Sequence, residues 1–123
     1  MVKLVEMDDA VTIRDQLEDR GAGPVILINK FTVPAADAEA MVRAWTDDAE
    51  WMKRQPGFIS TQLHRGIRGS SLFLNYAVWE STEHFKAAFS NPEFQARLGR
   101  YPASAVASPH LFRKVAVPGL CVA

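Results

Sequence analysis

Asn29 is the first residue in this chain with a reason to do chemistry. It stands inside the run Val25-Ile-Leu-Ile-Asn-Lys-Phe-Thr-Val33, where alternation puts its amide on the same strand face as Val25, Leu27, Phe31 and Val33. A carboxamide among apolar neighbours needs a partner, supplied either by a neighbouring loop or by a ligand. Trp79 is the second candidate, because it ends the aromatic-rich run Leu72–Trp79 just before Ser81, a residue suited to cap a helix. An indole at such a junction packs into the core or walls a cleft, and its N–H needs an acceptor either way. Amide and indole N–H groups strengthen as donors when charge develops on a bound oxygen.

Other chemistry finds less support. His64, His84 and His110 fall on different elements without the i, i+4 spacing of metal ligands, so no metal site is expected. His64 is the one imidazole whose strand could aim it inward as a base. Asn75 shares a strand face with Trp79, but alternation does not say whether either residue faces a pocket or a partner subunit. No glycine-rich phosphate loop and no G-x-G-x-x-G occur, so nucleotide and flavin cofactors lack support.

The elements that must hold these residues follow from periodicity. Residues 1–23 read as an arm with a short helix over Ala10 to Leu17, capped by Asp8 or Asp9, and residues 24–123 as the domain proper. Val25 to Val33 is a strand with two apolar faces, ended by Pro34. From Asp37 to Arg54, Ala38, Met41, Val42, Trp45, Ala49 and Met52 form a helical stripe that leaves Trp51 off it. Phe58 to Arg65 is a second strand, and Gly66 to Ser70 a hairpin loop into Leu72–Trp79. Ser81 starts a helix containing Phe85 and Phe89, and Asn91-Pro92 starts another. Pro109 to Val117 is expected to be the fourth strand. The order β-α-β-β-α-β predicts an α+β domain of ferredoxin-like type.

Size and charge narrow the partners. A chain of 123 residues is one domain and needs no disulfide; its single cysteine, Cys121, has no mate. The 14 basic and 14 acidic side chains cancel and are interspersed, so neither nucleic acid nor an anionic membrane is favoured. The acidic start and the lack of a membrane-length apolar run point to a cytoplasmic protein. With helices on one sheet face, the apolar residues of the other must be covered, and a homodimer packed sheet to sheet does so economically.

The run Ile26-Leu-Ile-Asn-Lys-Phe-Thr-Val33, the helix end Met52-Lys-Arg-Gln-Pro-Gly-Phe58, and Asn75-Tyr-Ala-Val-Trp79 followed by Phe85 and Asn91-Pro-Glu-Phe94 resemble the antibiotic biosynthesis monooxygenase family of dimeric α+β barrels. The resemblance covers about residues 25–117. It is strongest to the cofactor-independent, anthrone-oxidising branch of aromatic polyketide pathways. It implies that Asn29 and Trp79 are the asparagine and tryptophan of the oxygenating site. Heme-degrading relatives use the same pair with a histidine four residues after the phenylalanine of the last helix. That phenylalanine is Phe94 here and the position holds Leu98, which argues against heme.

An oxygenase without a cofactor must use its substrate as the reductant. The resemblance implies a monooxygenase that takes a phenolic anthrone and O₂ to a quinone through the substrate anion. Asn29 and Trp79 would stabilise the anion, His64 would be the base, and Phe31, Trp45, Asn75 and Phe85 would hold the substrate. Trp45 is the expected helix-side wall. The alternatives are an oxygen-independent isomerase, cyclase or decarboxylase on a related polyketide, and a non-catalytic member that binds a hydrophobic metabolite.

Overall fold

The computed structural model describes residues 2–123. At its centre β2 (Val25–Thr32) and β4 (Leu72–Trp79) pair antiparallel, from Val25 opposite Trp79 to Thr32 opposite Leu72. Both strands are rich in aliphatic and aromatic side chains on both faces, which suits the middle of a sheet. β3 (Phe58–Arg65) flanks β4, and β5 (Val106–Phe112) flanks β2. A two-residue strand, β1 (Lys3–Leu4), adds a parallel edge to β5, giving the order β1-β5-β2-β4-β3. Between the strands run α1 (Ile13–Gln16), α2 (Ala38–Met52), α3 (Thr82–Phe89) and α4 (Pro92–Arg97). The strands β2 to β5 with α2 and α3 make the ferredoxin-like α+β fold expected, with β1 as an addition.

Helix starts follow their caps. The Ser81 hydroxyl accepts from the His84 N–H at 3.1 Å, and the Asn91 carboxamide accepts from the Glu93 N–H at 2.8 Å with Pro92 in the first turn. At α1 the cap is Thr12, not Asp8 or Asp9. Thr12 Oγ1 accepts from Asp15 N–H while Asp15 Oδ2 accepts from Thr12 N–H, a reciprocal box that fixes the start at Ile13. Asp8 instead accepts from Ala10 N–H in its own turn. Ile13 and Leu17 are buried in the core, as is Val2.

The last strand also departs from expectation. It runs Val106–Phe112 and not Pro109 to Val117. The outer edge of β5 receives Lys3 and Val5 N–H groups at the Ala105 and Ala107 carbonyls. At Leu111 the Gln16 carboxamide takes over, accepting from the backbone N–H at 2.8 Å and donating to the carbonyl at 3.0 Å. Pro109 lies between these two attachments, where an outward N–H would have lacked a partner, so a proline is tolerated inside the strand.

The core divides into two clusters. One gathers Trp51, Trp79, Phe85 and Phe94 with Val25, Leu27, Ile13 and Leu17; the other gathers Phe31, Val33, Met41, Phe73 and Tyr101. On α2 the buried residues are Ala38, Met41, Ala44, Asp48 and Trp51. Trp51 therefore belongs to the packed face, against expectation. Its indole donates to Glu93 at 2.8 Å and stacks on Phe94.

Candidate active site

The two clusters leave a pocket between sheet and helices. Its sheet wall comes from alternate residues of the central pair: Leu27, Asn29 and Phe31 on β2, Asn75, Ala77 and Trp79 on β4. Trp45, Asp48 and Met52 of α2, Phe85 and Phe89 of α3 and Phe94 of α4 form the opposite wall, and Leu98 and Tyr101 close one side. Asn29, Trp79, Phe31, Trp45, Asn75 and Phe85 are thus brought together. Val2 and Leu4 also line the pocket, a role their place in the sequence did not suggest.

Asn29 and Asn75 are direct cross-strand partners, yet their carboxamides are differently occupied. Thr61 Oγ1 donates to Asn75 Oδ1 at 2.6 Å, which fixes that amide. Asn29 Oδ1 is buried without a hydrogen-bond partner. A buried carbonyl oxygen left unpaired costs free energy that a donor on a bound molecule would recover. Trp79 is held by edge-to-face contacts with Phe58 at 5.4 Å and Phe85 at 5.8 Å. A rigid indole at the wall gives a flat ligand a fixed surface.

His64 does not reach the pocket. A bulge between Phe58 and Ser60 advances β3 by one residue, so that Thr61 and Leu63, not Ser60 and Gln62, share the face of Phe58. His64 consequently lies on the opposite face, exposed, with Nδ1 3.2 Å from the Leu74 carbonyl oxygen. Plain alternation from Phe58 would have aimed it at the helices, and this one-residue insertion is the physical reason its assignment as base fails. His84 pairs with Ser81 at the start of α3, and His110 contacts Gln16 at the sheet edge.

A titratable group that sequence reasoning passed over stands in the wall instead. Asp48 is 5% exposed, and its Oδ1 has no hydrogen-bond partner. Burial pushes its carboxyl up to about 6; the Tyr101 hydroxyl and the cations of Arg97 and Arg100 draw it partly back, while Asp47 adds to the rise. The Tyr101 phenol is itself pushed up, by burial first and then by the Asp48 charge, so it remains a neutral donor. One signal was available in the sequence. Asp48 is four residues after Ala44 and three before Trp51, on the buried phase of α2.

These residues do not suit a heme iron. Among the described residues no imidazole or thiolate lines the pocket, Leu98 presents a hydrocarbon, and the Tyr101 phenol resists ionisation. Among the described residues no group of three or more His, Cys, Asp or Glu is placed to hold a metal ion. No described helix is long and apolar enough to cross a membrane.

The chain resembles known proteins over this same region. The sequence profile of the antibiotic biosynthesis monooxygenase family matches residues 24–98. A heme oxygenase (mycobilin-producing) from Mycobacterium tuberculosis is 32% identical over 76 residues, which are 62% of this chain and 72% of that protein. Deoxynogalonate monooxygenase from Streptomyces nogalater is 33% identical over 73 residues, 59% of this chain and 61% of that one. The crystal structure of SnoaB, a cofactor-independent oxygenase from Streptomyces nogalater, superposes with a TM-score of 0.71 at 28% identity, covering 80% of this chain and 99% of SnoaB.

Proposed function

The chain belongs to the antibiotic biosynthesis monooxygenase family, and from that premise we propose that it oxygenates a phenolic, anthrone-type polycycle to a quinone with O₂ and no cofactor. The observation that carries this reading is the pocket itself: an aromatic-walled cleft in which Asn29, its Oδ1 without a partner among the described residues, and the Trp79 indole stand together on the sheet wall. Likeness to a cofactor-independent oxygenase supports it, and the poor fit to heme favours it over the chemistry of the heme oxygenase relative.

The reaction balances without a redox group. The deprotonated anthrone passes one electron to O₂, and the radical pair combines to a hydroperoxide at the former methylene carbon. Loss of water leaves the quinone carbonyl, so CH₂ plus O₂ becomes C=O plus H₂O. The protein binds the flat anion, places donors at its oxygen and keeps bulk water away.

The test is oxygen consumption and quinone absorbance with a simple anthrone in air-saturated buffer, against a control without protein. Stoichiometric acceleration is expected. Asn29→Ala should lower it by about 10²-fold, the usual scale for losing one such donor, and Trp79→Phe should also weaken it. Conversion of substrate without oxygen uptake would replace this reading with an isomerase, cyclase or decarboxylase. Binding without product would leave only a metabolite-binding role.

We also infer a homodimer. Ile26, Ile28, Leu74, Tyr76 and Val78 share the sheet face turned away from the helices, in the pairs Ile26–Val78 and Ile28–Tyr76. Ile26 is already buried, and a second copy packed on that face would cover Ile28, Leu74, Tyr76 and Val78. Light scattering at micromolar concentration should give twice 13.7 kDa, and a monomer mass there would sink the idea.

A further inference from the structure

We propose that Asp48 is the general base of the pocket, taking a proton from an acidic C–H of the bound polycycle. The assignment rests on the oxygenase reading for the identity of the substrate, but its geometry stands alone. The carboxylate lies on the helix wall and Asn29 on the sheet wall, and each carries a buried oxygen without a hydrogen-bond partner. A carboxyl kept for structure normally has both oxygens paired, since an orphaned buried acceptor costs stability; the third such atom, His110 Nδ1, lies outside the cleft. Two residues that line one cleft and each carry an orphan acceptor call for a ligand that brings donors or acidic hydrogens. A hydroxylated, enolisable polycycle brings both, whereas an aprotic hydrocarbon brings neither.

The groups around Asp48 suit the task. Asp48 and Tyr101 are the titratable side chains lining the pocket among the described residues. Arg97 and Arg100 act on the carboxylate from the end of α4 and the turn after it, and Asp47 from its own helix. Asp47 is engaged by Arg100 at 3.0 Å and is half exposed, so it does not compete for the substrate proton. A carboxyl that titrates near 6 is ionised at neutral pH and is a stronger base than an ordinary aspartate.

The proton balance closes on this one residue. The Asp48 carboxylate takes a methylene proton, leaving the substrate anion that reduces O₂. The resulting carboxylic acid returns that proton to the peroxide. Asp48 then takes the remaining C–H proton as the O–O bond breaks, and the departing hydroxide recovers it as water while the carbon becomes a carbonyl.

The first half-step can be measured without oxygen. Under argon in D₂O, 1,8-dihydroxy-9-anthrone exchanges its methylene hydrogens for deuterium, and the wild-type protein should accelerate this with a rate that rises with pH around 6. Asp48→Asn should lose about 10²-fold or more of the acceleration and the pH dependence with it, and Asp48→Glu should recover part of both. Oxygen uptake is recorded in parallel. Asp48-dependent exchange without oxygen uptake keeps the base and removes the oxygenase. Oxygen uptake with exchange and pH profile unchanged in Asp48→Asn overturns the base and keeps the oxygenase. Neither activity in the wild-type protein overturns both.

Discussion

Phe85→Ala is expected to cost about 3–5 kcal/mol of folding stability, the scale for deleting a fully buried aromatic ring. Phe85 is 0% exposed on α3, and its ring lies 5.8 Å from that of Trp79 and 5.2 Å from that of Phe89. Neither neighbour can swing into the vacancy easily. Trp79 is also held against Phe58, and Phe89 against Phe94. A domain of this size is stable by roughly 5–15 kcal/mol, so the variant would sit near the limit of folding. Denaturant unfolding with a two-state fit checks the figure. A loss below about 1 kcal/mol would mean that the wall repacks and that Phe85 does not fix the position of Trp79.

The second large effect has the opposite sign. Asp48→Asn should make the protein more stable at neutral pH, by on the order of 2–3 kcal/mol. The sign follows from proton uptake. The Asp48 carboxyl titrates at about 6 when folded and at 3.8 in the unfolded reference, so between those values the folded chain binds more protons than the unfolded one. Stability from this group is therefore fully present below about pH 4 and is lost as pH rises to about 6. Glu18 and Asp19, drawn down by Lys86 and Arg113, act in the other direction but are common to both proteins. The difference between wild type and Asp48→Asn isolates the effect. It should be near zero at pH 4 and reach its full size above pH 7. A constant difference across that range would show that the carboxyl is not held out of water. A variant that is more stable and less active marks a residue kept for function at the expense of the fold.

The sequence made the strands β2, β3 and β4 legible because their apolar alternation is long and their ends are marked by Pro34, Gly66 and Ser81. Asn29 and Trp79 were legible for a related reason: a polar amide inside an apolar run, and an indole at a strand-to-helix junction, stand out from their surroundings. Three features were not legible. Pro109 read as the start of a strand because a strand interior rarely admits proline, and only the break between β1 and Gln16 along that edge makes room for it. The face of His64 depended on one bulge, which leaves no mark in Phe58-Ile-Ser-Thr beyond a weak alternation. Asp48 was hidden by its type. An acid in an amphipathic helix is normally on the wet side, and the expected stripe of Ala38, Met41, Val42, Trp45, Ala49 and Met52 caught Ala38 and Met41 but centred its second half beside the buried line that continues through Ala44, Asp48 and Trp51.

The pairing of Lys3 with Val106 has a consequence for the start of the chain. Val2 and Leu4 line the pocket, yet the strand that holds them in place follows every other strand in the sequence. Closing residues 2–4 onto the sheet is therefore a long-range contact, whereas β3 and β4 pair across one short hairpin. An extension fused ahead of Val2 would therefore bear on the binding site and not on a remote surface.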